Sequence, residues 1–274
     1  MRGGLKNEWD APGFREDKYR ISGAAVARTI AGIDADIICL TEVGPQEEIA
    51  ILQELVAAEG VTYPHFEACD SNDPTGQYVA IFSKRPLDNV LRKIPGREFY
   101  DKELDDPDSE DDTGVTKGMH VTFEVAGQTV HLYAVHLASE RGGHEQDAQR
   151  IAQASIIRRH YLQHLNRGEH VIVCGDLNDR RGQPTLRRIR GRDDLWGDLV
   201  QTGNAEYFPE EESGTRWTYQ FRGERNQIDH ILPSWSVRQA CKRFKTSTVP
   251  VTETFEGLLA SDHRALVVEF CFED

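Results

Sequence analysis

Five short stretches of this 274-residue chain end in side chains that can move protons, hold a hard cation or contact phosphate. They are Glu42 after IICLT, His136 closing TVHLYAVH, Asp176 and Asn178 after VIVCG, Asp229 in QIDHIL, and Asp262 with His263 in SDHRAL. Any one of them is explained by a turn or a cap, where Asp and Asn are favoured for their local hydrogen bonding. All of them, each at the edge of a predicted strand, are hard to assign to caps. Carboxylates such as Glu42 and Asp262 suit Mg2+ or Mn2+ rather than zinc. A histidine oriented by an aspartate makes a general base near neutral pH. A second histidine and an asparagine can donate hydrogen bonds to a phosphoryl transition state. No serine, cysteine or lysine nucleophile stands out, so direct attack by water is favoured. Metal-assisted phosphoester hydrolysis uses all the pieces.

The elements that must carry these residues are legible from apolar patterning. Val171 to Cys174 is an unbroken, β-branched run that predicts a strand buried on both faces. Ile37 to Leu40 is a second such strand, delivering Thr41 and Glu42 at its carboxyl end. Tyr78 to Ser83 reads as a strand. Met119 to Val125 and Gln128 to His136 predict a hairpin turning at Ala126-Gly127. Gln227 to Leu232 and Ala265 to Phe272 complete the set. Helices are expected over Ile21 to Ile33, from Pro45 to about Ala58, and over 144–166, the last with Arg150, Arg158 and Arg159 on its outer face. The acidic run 101–112 is expected to be a solvated, mobile loop rather than a calcium site, because it lacks the EF-hand spacing and glycine. Strands and helices interleave, which makes the class α/β. No linker or repeat interrupts residues 1–274, so one domain is expected.

The net charge of −14 argues against a passive polyanion-binding module, but not against an enzyme with a local basic patch. Such a patch exists at Arg180, Arg181, Arg187, Arg188, Arg190 and Arg192, although acids follow closely. No apolar run approaches the ~20 residues that span a bilayer, and Met1 to Asp10 holds no signal-type apolar stretch. The five cysteines have no metal-ligand spacing, and their odd number favours a reducing compartment, expected to be the cytoplasm.

In order, CLTEV (39–43), YAVHLAS (133–139), CGDLND (174–179), QIDHIL (227–232) and SDHRAL (261–266) resemble the motifs of the endonuclease/exonuclease/phosphatase superfamily, the deoxyribonuclease-I-like fold. The resemblance runs from Glu42 to the C-terminus. It implies a four-layer α-β-β-α sandwich of two mixed sheets. It also implies roles. Glu42 matches the metal-binding glutamate, and Asp262 the acid near the metal. Asp176 and Asn178 match the pair that contacts the attacking water or leaving group and the phosphate. His263 matches the base histidine, Asp229 the aspartate that orients it, and His136 a phosphate-facing histidine. Whether Asp176 or His263 activates the water stays open.

Two departures bear on the expectation. Apurinic-site endonucleases carry a tyrosine-containing motif where this chain has VHL, which disfavours that activity. The family also begins with an apolar strand ending in an asparagine, and none precedes Arg2-Gly3-Gly4-Leu5; the chain is expected to lack this first strand, with Asn7 as a weak substitute. The expected activity is that of a Mg2+- or Mn2+-dependent nuclease or phosphodiesterase, acting as a monomer on nucleic acid or another phosphodiester. A phosphatase or phospholipase-type hydrolase is the alternative on the same fold. A non-enzymatic interaction protein is the third class, and the intact set of acids and histidines speaks against it.

Overall fold

Period-two alternation decides which face each strand residue meets. In β9 (His170–Asp176) Val171 and Val173 join one buried cluster, while Ile172 and Cys174 join another. In β8 (Gln128–His136) Tyr133 and Val135 go one way, and Leu132 and Ala134 the other. β3 (Tyr78–Ser83) sends Val79 and Ile81 into the cluster shared with β8 and β9, and Ala80 and Phe82 into a third cluster. Strands apolar on both faces must be covered on both faces. Three stacked cores therefore require four layers.

The computed structural model describes residues 14–71, 73, 75–104, 106–191, 199–203, 216–249 and 260–272. One outer layer is α1 (Phe14–Ile33) and α2 (Gln46–Ala58), which pack through Ala27, Ile30, Ile49 and Val56. They lie on a three-stranded antiparallel sheet in the order β1-β3-β2, with β1 at Ile37–Val43 and β2 at His65–Ala68. A five-stranded mixed sheet faces it. Its order is β12-β9-β8-β7-β4, with β4 at Asp88–Leu91, β7 at Gly118–Val125 and β12 at Asp229–Pro233. Only β8 and β9 run parallel within it. The second outer layer is α3 (Gly143–Leu165), the crossover between those two strands, with α4 (Pro184–Arg190). Ile156, Ile157, Tyr161 and Leu165 of α3 are fully buried on the sheet. Together, β10 (Tyr219–Phe221) and β11 (Glu224–Asn226) make a hairpin. The chain continues through α5 (Trp235–Ala240) to β13 (Cys241–Val249), which pairs with β14 (Ala265–Phe272).

Two expectations need correction. The acidic stretch is not a loop throughout. Its ends form the short antiparallel pair β5 (Glu98–Asp101) and β6 (Glu110–Thr113), and two of its acids are paired: Arg97 with Asp112, and Lys102, whose Nζ lies 2.6 Å from Asp111. Arg150 does not face solvent. It is 4% exposed, and its Nη1 donates to the carbonyls of Ala138 and Ser139 at 3.2 and 2.9 Å, tying α3 to the segment after His136. Helical spacing reported the stripe but not that a guanidinium could serve as an internal clamp. The expected lack of a first strand, and Asn7 with it, lies outside the described residues, as does Arg192. A largely apolar cavity of about 1370 Å³ is lined chiefly by β1, β14, α1 and α2, and Glu42, Asp229 and His263 are among its lining residues. Among the described residues no helix is long and apolar enough to cross a membrane.

Candidate active site

Strand register places three of the catalytic and metal-ligating candidate side chains in one row. Parallel pairing sets His136 of β8 opposite Asp176 of β9, and antiparallel pairing sets Asp229 of β12 opposite the same Asp176. These residues share the face of Ile172 and Cys174, so a polar row closes one end of the core between the sheets. The row is tight because of Gly175. Its φ is +131°, and a Cβ there would stand 1.9 Å from the Val135 carbonyl oxygen. Only glycine lets β9 approach β8 so closely while turning into the Asp176–Asn178 corner. Asn178 itself takes φ +50°, its N–H donates to Asp176 Oδ1 at 2.8 Å, and its side-chain amide donates to the Leu137 carbonyl at 3.1 Å.

From the facing sheet comes Glu42. A register shift between Leu40 and Val43, with Glu42 at φ +57°, breaks the alternation of β1. Bulges re-aim side chains in this way at sheet edges. The carboxylate, 58% exposed, ends 3.9 Å from His136 Nε2, which also lies 3.8 Å from Asp176 Oδ2. His263 arrives from the turn before β14. Its N–H donates to Ser261 Oγ at 3.0 Å, a bridge pairs it with Tyr219, and the next residue, Arg264, donates its N–H to the Thr218 carbonyl at 2.7 Å. Held there, His263 Nδ1 is 2.7 Å from Asp229 Oδ2. Each of Asp176, Asp229 and His263 offers an atom within 4.8 Å of the other two. Asp262 is exposed beside them and acts on His263 through its charge.

Burial and charge set the proton inventory. Burial, then the charge of Asp229, pushes Asp176 up to about 8 against the partial relief of His263. Burial would raise Asp229 too, but the charge and hydrogen bond of His263, then the Thr218 hydroxyl, hold it below the usual carboxylate range. Burial alone would lower His263; the Asp229 carboxylate and its hydrogen bond, then Asp176 and Asp262, override it and raise His263 to about 9. Burial and the neighbouring Lys117 ammonium push His136 down to about 3. In the metal-free site these shifts favour an ionised Asp229, an imidazolium at His263, a proton on Asp176 and a neutral His136 near neutral pH.

This donor set fits a hard divalent cation. Asp176 is a buried carboxylate whose one charge-stabilising hydrogen bond among those described is the Asn178 N–H, and Asp229 and Glu42 add to the negative potential around it. A cation among carboxylate oxygens relieves that repulsion.

Patterning did not single out Thr218, Lys117 or the ledge beside His263. Thr218 Oγ1 is fully buried and accepts the N–H groups of Ile228 and Asp229 at 3.2 and 3.1 Å. Lys117 forms an ion pair with Asp73 at 3.3 Å and donates to Gln77 at 3.1 Å, while its carbonyl accepts the His136 N–H. Tyr219 packs its ring 4.7 Å from His263, and its hydroxyl accepts from Arg141, whose guanidinium lies 4.8 Å over the Phe221 ring. The WTY triplet was a visible signal; its distance from His263 in sequence hid the contact.

Comparison with known proteins identifies the family and the fold. The model of the Endonuclease/Exonuclease/phosphatase family matches residues 9–263. The chain belongs to that family, a family of phosphoester hydrolases. The fold is similar to that of truncated Caenorhabditis elegans TDP2, at 19% identity and TM-score 0.62 over 94% of this chain and 92% of that one. It is also similar to an endonuclease/exonuclease/phosphatase family protein from Leptotrichia buccalis, at 16% identity and TM-score 0.60 over 96% of each chain. Staphylococcus aureus beta toxin is similar at 17% identity and TM-score 0.56 over 92% of each chain. No curated protein sequence matches.

Proposed function

We propose that the protein is a Mg2+- or Mn2+-dependent phosphodiesterase or nuclease that cleaves by direct attack of water. The observation that carries this is the Asp176–Asp229–His263 cluster, with Glu42 and His136 across it and no nucleophilic side chain among them. Glu42 and Asp176 would hold the cation, with Asp262 on the open side. When bound, the cation supplies charge neutralisation at the phosphate and acidifies water. Asp229 fixes the His263 tautomer: Nδ1–H donates to the carboxylate, and Nε2 faces the substrate. Carrying a proton, His263 donates a hydrogen bond to a phosphoryl oxygen whose charge grows in the transition state. Deprotonated, it accepts the proton of the attacking water. Asp176, whose proton affinity is raised in the metal-free site by burial and the Asp229 charge, would give up that proton on holding the cation. Asn178 spends one amide N–H on Leu137 and keeps the other for the phosphate. His136, neutral and buried, presents Nε2 to the same space.

Nucleic acid is the favoured substrate class on the ledge next to His263. Phe221 is 40% exposed, and the Arg141 and Arg222 guanidinium groups lie near its ring, at 4.8 and 5.1 Å from the centroid. Aromatic faces with arginine beside them stack bases and track phosphates. Membership of a family that joins endonucleases and exonucleases to phosphatases supports action on a phosphoester of this kind. The test is hydrolysis of plasmid DNA, single-stranded DNA, RNA, bis-p-nitrophenyl phosphate and p-nitrophenyl phosphate, with Mg2+ and with EDTA. Cleavage of diesters in Mg2+ only is expected. Preference for the monoester would favour a phosphatase, and full activity in EDTA would overturn the metal assignment.

A further inference from the structure

A second group of chemically active side chains sits on the opposite face of the five-stranded sheet. His120 of β7 and His131 of β8 stack with ring centroids 5.2 Å apart, and His120 Nε2 is 3.0 Å from His131 Nδ1. His164, from the last turn of α3, lays its ring 3.8 Å from that of His131 and 5.2 Å from that of His120. One ring nitrogen of each lies within 4.8 Å of the other two. Alternation and helical spacing explain the convergence. His131 is two residues before Tyr133 and shares its face, and His164 follows His160 by one helical turn on the side of α3 that covers this sheet. The group is remote from the catalytic row, since His131 precedes His136 by five strand residues, roughly 17 Å at strand rise.

The groups behind these rings are arranged as they are behind metal ligands. Glu169 Oε2 is 3.0 Å from His131 Nε2 and 2.7 Å from His164 Nδ1. A carboxylate accepting an N–H from each imidazole fixes both tautomers and turns the other nitrogen of each ring, His131 Nδ1 and His164 Nε2, into a lone-pair donor. Arg167 Nη2 also approaches His164 Nδ1, at 2.7 Å, but it bonds the Glu169 carboxylate through Nε and Nη2 at 2.8 Å each, so its donors have a partner and its charge is neutralised locally. His120 and His131 are buried, a setting that disfavours imidazolium. His120 Nδ1 is buried with no hydrogen-bond partner, so polar satisfaction within the protein does not explain why this histidine is inside. His160 packs its ring 5.8 Å from that of His120 and 5.7 Å from that of His164, but its Nδ1 is taken by the Tyr133 hydroxyl at 2.7 Å. Two imidazole nitrogens bound to one tetrahedral ion at about 2.05 Å lie roughly 3.3 Å apart; the 3.0 Å between His120 and His131 needs only a small adjustment.

We propose that His120, His131 and His164 form a second metal site, selective for a borderline ion such as Zn2+ and oriented by Glu169. Three imidazoles suit zinc and give Mg2+ no oxygen ligand of its own, so the two sites sort their ions by donor type. A water would complete a tetrahedral set. The ion ties β7, β8 and the end of α3 together, and its effect is on stability.

The test is Zn2+ binding by isothermal titration, with thermal melting, on the full chain freed of metal. Three proteins are compared: wild type, Asp176→Asn/His263→Gln to empty the catalytic row, and His131→Gln/His164→Gln to empty the histidine group. Tight binding of one Zn2+ and a raised Tm are expected in the first two and lost in the third. Loss in the Asp176/His263 variant instead, with retention in the His131/His164 variant, would assign the zinc to the catalytic row and overturn the proposal, as would no tight binding in any protein. Should the His131/His164 variant fail to fold, Co2+ added to the Asp176/His263 variant decides. The visible absorption of four-coordinate Co2+ is expected; a six-coordinate spectrum overturns the site. None of these readouts depends on phosphodiester cleavage.

Discussion

His263 Nδ1 stands 2.7 Å from Asp229 Oδ2, and the register of β12 against β9 holds that same Asp229 opposite Asp176. One carboxylate thus orients the imidazole and raises the proton affinity of its neighbour. His263→Ala and Asp229→Asn should each lower kcat by roughly 10²–10⁴, the range of a positioned acid–base group. The double variant should lose little more than the worse single one, because groups acting as a unit are not additive. Steady-state kinetics on bis-p-nitrophenyl phosphate checks this; multiplicative losses would mean the two side chains work independently.

The same contacts predict how the metal-free protein responds to pH. The folded value of His263, about 9, lies above its ordinary 6.5, so its contribution to stability is complete below 6.5 and is lost as pH rises through 9. Asp176, raised to about 8 from 3.8, acts in the same direction, since the folded state holds a proton that the unfolded chain has released. Asp229 is depressed, so its contribution is present above 3.8 and is lost only as pH falls below that. Melting in EDTA should therefore show Tm falling between about pH 6.5 and 9. His263→Gln should flatten that decline. A Tm rising over this window would contradict the assigned protons.

Glu42→Gln should weaken Mg2+ dependence rather than stability. Its carboxylate is 58% exposed and its backbone is held at φ +57° by the bulge, which the amide keeps. The expected result is a higher Mg2+ concentration for half-maximal rate and at least a roughly tenfold lower kcat, with Tm within about 1 °C of wild type, as for surface changes generally. An unchanged Mg2+ profile would remove Glu42 from the cation's ligands.

Much of this was legible in the sequence because buried strands state their own period. Val171–Cys174 and Ile37–Leu40 announced β9 and β1, and the polar residue after each run marked where its chemistry begins. What local patterning did not carry was long-range or paired. The 2.7 Å contact between His263 and Asp229 joins residues 34 apart in sequence; the family resemblance led to its expectation, and no local pattern encodes it. The strands β5 and β6 were missed because their acids read as repulsive until Arg97 and Lys102 are seen opposite them. Arg150 was misplaced because an arginine on a helix is expected at the surface unless carbonyls wait for it. The histidines at 120, 131 and 164 sit on three elements, and only their packing shows them as a group.

Gly175→Ala tests how the catalytic row is built. The added Cβ would meet the Val135 carbonyl at 1.9 Å, and φ +131° is unfavourable for any residue with a Cβ. β9 would have to move off β8, which shifts Asp176 against His136. A loss of about 3 kcal/mol or more is expected, equivalent to roughly 6–12 °C in Tm for a chain of this size. Activity should fall further than the folded fraction. Wild-type Tm and kcat in this variant would show that the close approach is not needed.

The arginines after the catalytic corner test the proposed nucleic-acid substrate. Arg187 and Arg188 project into solvent from α4, which follows Asp176 and Asn178 by a short turn, and Arg180 lies 3.9 Å from both Glu140 and Glu224 near the Arg141–Phe221 ledge. A nucleic acid leaving the cleavage point on that side would meet them, whereas a small diester would not. Arg187→Glu/Arg188→Glu should raise KM for DNA several-fold and leave KM for bis-p-nitrophenyl phosphate unchanged. Phe221→Ala should do the same through lost stacking, which is worth about 1–3 kcal/mol per base. The two variants separate by salt. Phosphate contacts release counterions, so removing them should flatten the dependence of log KM on log salt concentration, while Phe221→Ala should leave that slope intact. Equal effects on DNA and the small diester would show that the substrate ends at the catalytic row and that neither surface guides it.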